Sequence, residues 1–281
     1  MKTILFLLAL SMLAARAQST ISPTDRHAYG ANFGWINFRP SAADGLVVNE
    51  TTLSGRAWSA NFGWLYFGDN QTLPYANTTA ANYGVNLAAG GQLTGYAWSP
   101  NVGWINFEQT RGQPRIDLLT GEFHGHAWSA NAGWIKLDAA PATLRTTSIH
   151  ITDSDNDGLG DAWEMLHFGD LARAGANSNA DGDPASDLDE YRAATAPDNA
   201  ADWLQLVSQA LASGGTTITL RFTTAPARLY RIESSTTLDG AWTTASPGTF
   251  APDPGDVTGK TFAIPAGARR FFRVVSLRPL M

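Results

Sequence analysis

The sequence predicts a mostly β protein in three parts: a repeated β-hairpin domain, a short loop-and-helix segment and a C-terminal antiparallel β-sandwich. Three observations predict it. An eleven-residue phrase recurs four times between Ala28 and Leu137, an acidic cluster follows between Asp153 and Glu190, and alternating apolar and polar runs resume after Ala201. Charged residues make up only 16% of the chain while Gly reaches 27 and Trp 10, a balance that suits strands joined by tight turns. The absence of cysteine excludes a disulfide framework and thiolate chemistry.

The first 17 residues carry one Lys, the apolar run Ile4 to Leu10 and small residues up to Ala17. This predicts a secretory signal peptide over 1–17, cleaved before Gln18. The run is too short to span a bilayer, and no later segment approaches 18 apolar residues, so no membrane span is expected in the mature chain. The expected location is secreted or extracellular, at the cell surface, or periplasmic.

The repeat domain is expected over 18–138. Its phrase reads Ala28-Tyr-Gly-Ala-Asn-Phe-Gly-Trp-Ile-Asn-Phe38, Ala57-Trp-Ser-Ala-Asn-Phe-Gly-Trp-Leu-Tyr-Phe67, Ala97-Trp-Ser-Pro-Asn-Val-Gly-Trp-Ile-Asn-Phe107 and Ala127-Trp-Ser-Ala-Asn-Ala-Gly-Trp-Ile-Lys-Leu137. Three strands per unit follow: a short apolar piece such as Leu46-Val-Val48, a strand ending at the first Trp, and a strand beginning at the second. The first copy has Tyr29 for the first Trp and no complete leading strand, as an end repeat capping a stack would. The offset from Trp58 to Trp64 predicts a hairpin that sets the two indoles opposite each other. Asn61, Asn101 and Asn131 are expected to bond their own turns, and the following glycines to take positive φ. Alternation places Leu53, Gly55, Ala57, Leu65 and Phe67, with Leu93, Gly95, Ala97, Ile105 and Phe107, on the core side.

The opposite side carries Trp58, Trp64, Trp98, Trp104, Trp128 and Trp134 among the variable Arg56, Tyr66, Tyr96, Asn106, His126 and Lys136. These indoles either pack between neighbouring units, supplying the buried area a small β domain needs, or line an open aromatic surface for sugar rings or peptide. The partners such a surface would serve are a polysaccharide or another surface protein. Nucleic acid is not expected, because no Lys/Arg stripe is present to neutralise phosphates.

Residues 139–152 read as a linker. The segment after it, 153–197, holds eleven of the 25 acidic residues and a single basic one up to Glu190. Asp153-Ser-Asp-Asn-Asp-Gly-Leu-Gly-Asp-Ala-Trp-Glu164 sets oxygen-bearing residues at positions 1, 3, 5, 9 and 12 of a twelve-residue loop with Gly at 6, which is the calcium-loop pattern. Asp153, Asp155 and Asp157 would bind through side chains and Leu159 through its carbonyl. Asp161 would bind directly or through water, and Glu164 would close the site with both oxygens. The cofactor implied is Ca2+. A second loop offers Asn179, Asp181, Asp183, the Ala185 carbonyl, Asp187 and Glu190, but Pro184 stands at position 6, where its fixed φ requires a different turn.

The first loop, together with Asp187-Leu-Asp-Glu-Tyr-Arg-Ala-Ala-Thr-Ala-Pro197, resembles the thrombospondin type 3-like repeats of large exported bacterial proteins and is similar to dockerin calcium loops. That form exits in Gly-Thr-Asp-Pro where this chain has Ala194-Thr-Ala-Pro197. The resemblance implies calcium-stabilised, rigid spacing between domains and carries no catalytic residue. A dockerin would add near-duplicate loop-helix segments for a cohesin partner, whereas the two helices here are dissimilar.

Over 198–281, alternation at Thr216–Phe222, Arg228–Ser234, Lys260–Ile264 and Arg270–Val275 predicts five or six antiparallel strands in a small sandwich. Trp203-Leu-Gln-Leu-Val207 opens a helix or supplies the first strand. Leu229-Tyr-Arg-Ile-Glu-Ser-Ser235 with Ala268-Arg-Arg-Phe-Phe-Arg-Val274 resembles the fibronectin type III-like sandwich that follows calcium repeats in exported bacterial proteins, and that resemblance implies the strand at Trp203. Catalysis needs converging groups. His124 and His126 form the one close histidine pair, and in the other units Arg56 and Tyr96 take the place of His126. Glu108, Glu122 and Asp138 are the candidates for a glycosidase carboxylate pair, which would need a separation of about 5–9.5 Å. The leading expectation is a calcium-stabilised structural or adhesive protein without catalytic activity. A carbohydrate-binding module using the tryptophans and a secreted glycan-active hydrolase are the alternatives.

Overall fold

A computed structural model describes residues 18–68, 74–264 and 269–280. The expected signal peptide lies outside them. The fold is mostly β, built from several antiparallel sheets and two short helices.

Four hairpins form the upper part of the repeat domain: β1 (Ile21–Gly30) with β2 (Gly34–Asn37), β4 (Thr52–Ser59) with β5 (Gly63–Tyr66), β7 (Leu93–Ser99) with β8 (Gly103–Asn106), and β11 (His126–Ser129) with β12 (Gly133–Lys136). Each hairpin pairs with the next, and β12 returns to pair with β1 through Tyr29↔Lys136 and Gly30↔Ile135. The units therefore close into an eight-stranded antiparallel barrel. This corrects the expectation of a capped stack: the first copy is a full member of a ring, and Tyr29 pairs with Trp35 as Trp58 pairs with Trp64. An eight-stranded barrel has an interior just wide enough for side chains to fill. Here the fill comes in layers of four. Ala28, Ala57, Ala97 and Ala127 lie beside Ile36, Leu65, Ile105 and Ile135, with Phe38, Phe67, Phe107 and Leu137 below, all buried.

The lower part uses the first halves of the long strands with short partners. β3 (Leu46–Val48) and β6 (Val85–Leu87) pair with β4, and β6 also pairs with β7. β9 (Arg115–Ile116) pairs with β10 (Phe123–His124), and β13 (Leu144–Thr146) pairs with β1. β13 lies within the segment that reads as a linker. Three residues are too few for alternation to register, yet Leu144 and Thr146 are fully buried and complete the barrel wall.

The strands bend between the two parts at Gly55, Gly95 and Gly125, with φ of 84°, 96° and 81°. A Cβ on Gly55 would lie 2.2 Å from the Gly45 carbonyl oxygen, and one on Gly95 equally close to that of Gly84. These glycines are therefore bends rather than core positions, while their neighbours Leu53, Ala57, Leu93 and Ala97 are buried as alternation predicts.

The repeat asparagine does something the sequence does not announce. Asn101 Nδ2 donates to the Phe62 carbonyl of the preceding unit at 2.8 Å, and Asn131 to Val102 and Asn32 to Ala132 at 3.2 Å, while Asn61 donates to Phe33. Four such bonds run head to tail around the ring. The turns themselves are held by Ser59, Ser99 and Ser129, whose hydroxyls accept from the asparagine backbone N–H. Asn101→Ala removes one link and leaves a carbonyl unpaired, so it is expected to cost about 1–2 kcal/mol in urea unfolding followed by tryptophan emission.

The two helices, α1 (Asp161–His167) and α2 (Asp187–Ala193), share a small core of Leu159, Trp163 and Tyr191. The sandwich packs β14 (Leu206–Leu211), β15 (Thr217–Thr223) and β18 (Val257–Ala263) against β16 (Leu229–Ser235), β17 (Thr243–Phe250) and β19 (Phe271–Leu277). Phe222, Phe262, Tyr230 and Ile232 fill the space between the sheets. The first strand begins at Leu206 rather than Trp203, because the Trp203 carbonyl is taken by the Thr223 hydroxyl at 2.9 Å.

All three parts meet at Tyr191. The Arg278 guanidinium lies 4.0 Å from the centre of its ring and pairs with Glu50 of the barrel. Arg228 of the sandwich donates to the Tyr191 carbonyl at 3.0 Å and to that of Arg192 at 2.8 Å.

Candidate functional site

Two regions concentrate chemistry, the acidic loops and the outer face of the barrel. In the first loop Asn156 and Gly158 take positive φ, 63° and 98°, and the chain curls so that carboxylate oxygens of Asp153, Asp155 and Asp157 lie within 4.8 Å of one another. In the second loop the positive φ falls only on Gly182, at 77°, two residues before Pro184, and the converging set is Asp181, Asp183 and Glu190. The loops are alike in their supports. Asp157 accepts from the Leu159 N–H at 2.8 Å and Asp183 from the Ala185 N–H at 2.6 Å.

Position 9 differs from the expected ligand role. Asp161 accepts from the Ser154 N–H at 2.8 Å and hydroxyl at 2.6 Å, and Asp187 accepts from the Ala180 N–H at 2.9 Å and the Ser178 hydroxyl. Both carboxylates clasp the start of their loop. Asn179 likewise spends its amide on the Gly182 N–H and the Asp183 carbonyl, both at 2.7 Å.

The closing glutamates stand apart. Glu164 is fully buried and neither carboxylate oxygen has a hydrogen-bond partner; Glu190 is equally buried with Oε2 unpartnered. Oxygens of Asp157, Asp181 and Asp183 are also buried and unmatched. Burial, followed by the charges of Asp157, Asp155, Asp161 and Asp153, pushes Glu164 up to about 7. Burial, followed by Asp181, Asp183 and Asp187, pushes Glu190 up to about 8. Among the described residues no Lys or Arg forms an ion pair with any of these carboxylates. Buried, unpaired carboxylates are costly, and a divalent cation is the group that would satisfy them. The donor set, all oxygen and mostly anionic, fits a hard cation such as Ca2+.

On the barrel, the predicted cross-strand pairs Trp58↔Trp64, Trp98↔Trp104 and Trp128↔Trp134 are in register. The rings meet edge to face or tilted within a hairpin, with centroids 4.9 Å apart for Trp58 and Trp64 and 4.6 Å for Trp98 and Trp104. The indoles are not sandwiched between units: Trp58, Trp104 and Trp128 are 40% exposed and Trp134 42%. Trp64 and Trp98 are more covered, and Arg56 lies 3.9 Å over the Trp64 ring. Trp35, 43% exposed and paired with Tyr29, belongs to the same belt. Its place in the repeated phrase is the signal that finds it, once Tyr29 is treated as equivalent to the first Trp.

The remaining candidates have local partners. His124 lies 3.6 Å from Asp138 and 3.9 Å from Glu122, whereas His126 meets the Trp134 ring beyond the bend at Gly125. Glu108 accepts from the backbone N–H groups of Thr110, Arg111 and Gly112. No helix is long and apolar enough to cross a membrane among the described residues. No protein-family model, curated protein or solved structure matches the chain.

Proposed function

We propose that this is an exported, non-catalytic adhesive protein whose two acidic loops bind Ca2+ and thereby brace the barrel against the sandwich. The observation that carries the calcium reading is Glu164, fully buried with both carboxylate oxygens unpartnered and under the charges of Asp157, Asp155, Asp161 and Asp153. Asp153, Asp155, Asp157 and Glu164 would hold one ion, and Asp181, Asp183 and Glu190 a second. The bracing follows from chain order: Glu190 precedes Tyr191, the residue gripped by Arg278 and Arg228. Isothermal titration with CaCl2 tests this. Binding is expected, with most of the heat of the first loop lost in Asp157→Ala, and no heat in the wild-type chain would refute it.

A second reading, carbohydrate binding through the tryptophan belt, is favoured by the exposure of Trp35, Trp58, Trp104, Trp128 and Trp134. Aromatic rings that remain open in a folded domain offer apolar area at small entropic cost. A glycan array read alongside tryptophan fluorescence tests it, and silence across neutral and acidic polysaccharides would count against it.

A further inference from the structure

The four boundaries between neighbouring hairpins share one register but not one chemistry. At each, the outward residue two places after the second aromatic of one unit lies directly opposite the first aromatic of the next: Asn37↔Trp58, Tyr66↔Trp98, Asn106↔Trp128 and Lys136↔Tyr29. At the first and third boundaries both flanking indoles are open, Trp35 and Trp58 in one and Trp104 and Trp128 in the other. At the second, Trp64 lies under Arg56 and Trp98 is half-buried. The fourth carries the Lys136 ammonium and has tyrosine in place of one indole.

We propose that the first and third boundaries are two equivalent subsites for a neutral glycan, formed by Trp35, Asn37 and Trp58 and by Trp104, Asn106 and Trp128. The proposal rests on the carbohydrate reading above and gives it sites, ligand class and stoichiometry. A pyranose ring has an apolar C–H face and a rim of hydroxyls, so it needs a flat apolar wall beside a group that both donates and accepts. Indole supplies the wall with few torsions to freeze, and a primary amide is both donor and acceptor. The amides are available: Asn37 Oδ1 accepts from the Arg39 N–H, leaving its NH2 free, and Asn106 makes no side-chain hydrogen bond among the described residues. Neither triad contains a charged residue, which favours a neutral chain over a uronic acid or sulfated one. Alternate boundaries of a four-unit ring lie on opposite flanks, so one molecule would bridge two glycan strands.

The test titrates cellohexaose, xylohexaose, mannohexaose and laminarihexaose into the full chain in calcium. At least one is expected to bind with two sites per chain. Trp58→Ala is expected to remove one site and leave the other, and Trp58→Ala with Trp128→Ala to remove both. Asn37→Ala with Asn106→Ala is expected to weaken both by about tenfold or more. This asparagine pair carries the test should the double tryptophan variant fail to fold. Lys136→Ala, at the fourth boundary, is expected to leave binding unchanged. Four sites, one site, loss of binding with Lys136→Ala, or binding that survives the asparagine pair would overturn the two-subsite assignment while leaving carbohydrate binding in place. No binding of any hexasaccharide would overturn both.

Discussion

Chelation of calcium is expected to lower the melting temperature of the wild-type chain, while Glu164→Gln is expected to raise it in chelator and to remove the calcium-dependent gain of the first loop. The two signs come from one feature. Without a cation, Glu164 is a buried carboxylate with no hydrogen bond, and burial and the nearby aspartates push it up to about 7. Removing its charge relieves the apo form, and the surrounding carboxylates offer acceptors to the new amide. With calcium the same charge becomes an asset. A ligand at a hundred times its Kd contributes about 2.7 kcal/mol per site.

The pH dependence has a definite sign. Between the ordinary carboxylate range and about 7 to 8, where Glu164 and Glu190 titrate, the folded apo chain holds more protons than the unfolded one. Its stability in chelator should therefore fall as pH rises through that window. In saturating calcium that slope should vanish. Melting curves in chelator and in calcium across the window read both effects. A calcium-independent melting temperature, or a Glu164→Gln chain less stable than wild type in chelator, would contradict this account.

Gly55→Ala is expected to cost about 3 kcal/mol or more, and Gly63→Ala only about 1–2 kcal/mol, although φ is nearly the same at the two positions, 84° and 80°. Left-handed backbone strain is common to both. The difference is space. A Cβ at Gly55 meets the Gly45 carbonyl at 2.2 Å, and backbone cannot step aside, whereas at Gly63 its nearest neighbour is the Asn101 amide at 3.6 Å. Urea midpoints of the two variants separate clash from strain, and equal costs would show that the close approach at the bend is unimportant.

Much of this architecture is legible in the sequence because it follows from repetition. The hairpin pairing of Trp58 with Trp64 and the burial of Ala57, Leu65 and Phe67 follow from period-two alternation inside a fixed phrase. Closure of the ring is not legible. Pairing of β12 with β1 joins residues a hundred positions apart, and no local pattern distinguishes an open stack from a closed barrel. The glycine at the bend reads as a core position because alternation counts residues without regard to φ: the count holds from Leu53 to Ala57, but at a φ of 84° Gly55 itself is exposed.

The loops show the same division. Spacing alone brings Asp153, Asp155 and Asp157 together. It does not show that Asp161 and Asp187 are spent on backbone N–H groups, since ligand and clasp use the same residue type at the same position. The alternation of open and covered boundaries on the barrel was hidden for another reason. It depends on which residue of one unit stands opposite a Trp of the next, which only the register between units reveals.

The head-to-tail circle of Asn32, Asn61, Asn101 and Asn131 fixes the copy number of the repeat. A solenoid can gain or lose a unit and remain itself; a ring whose last carbonyl is claimed by its first asparagine cannot. Duplication or deletion of one unit would strand a donor and an acceptor and open two sheet edges at once. The ends of the barrel chain lie side by side at Ile21 of β1 and Thr146 of β13, so circular permutation at a connection between two hairpins should be tolerated where a change in repeat number is not.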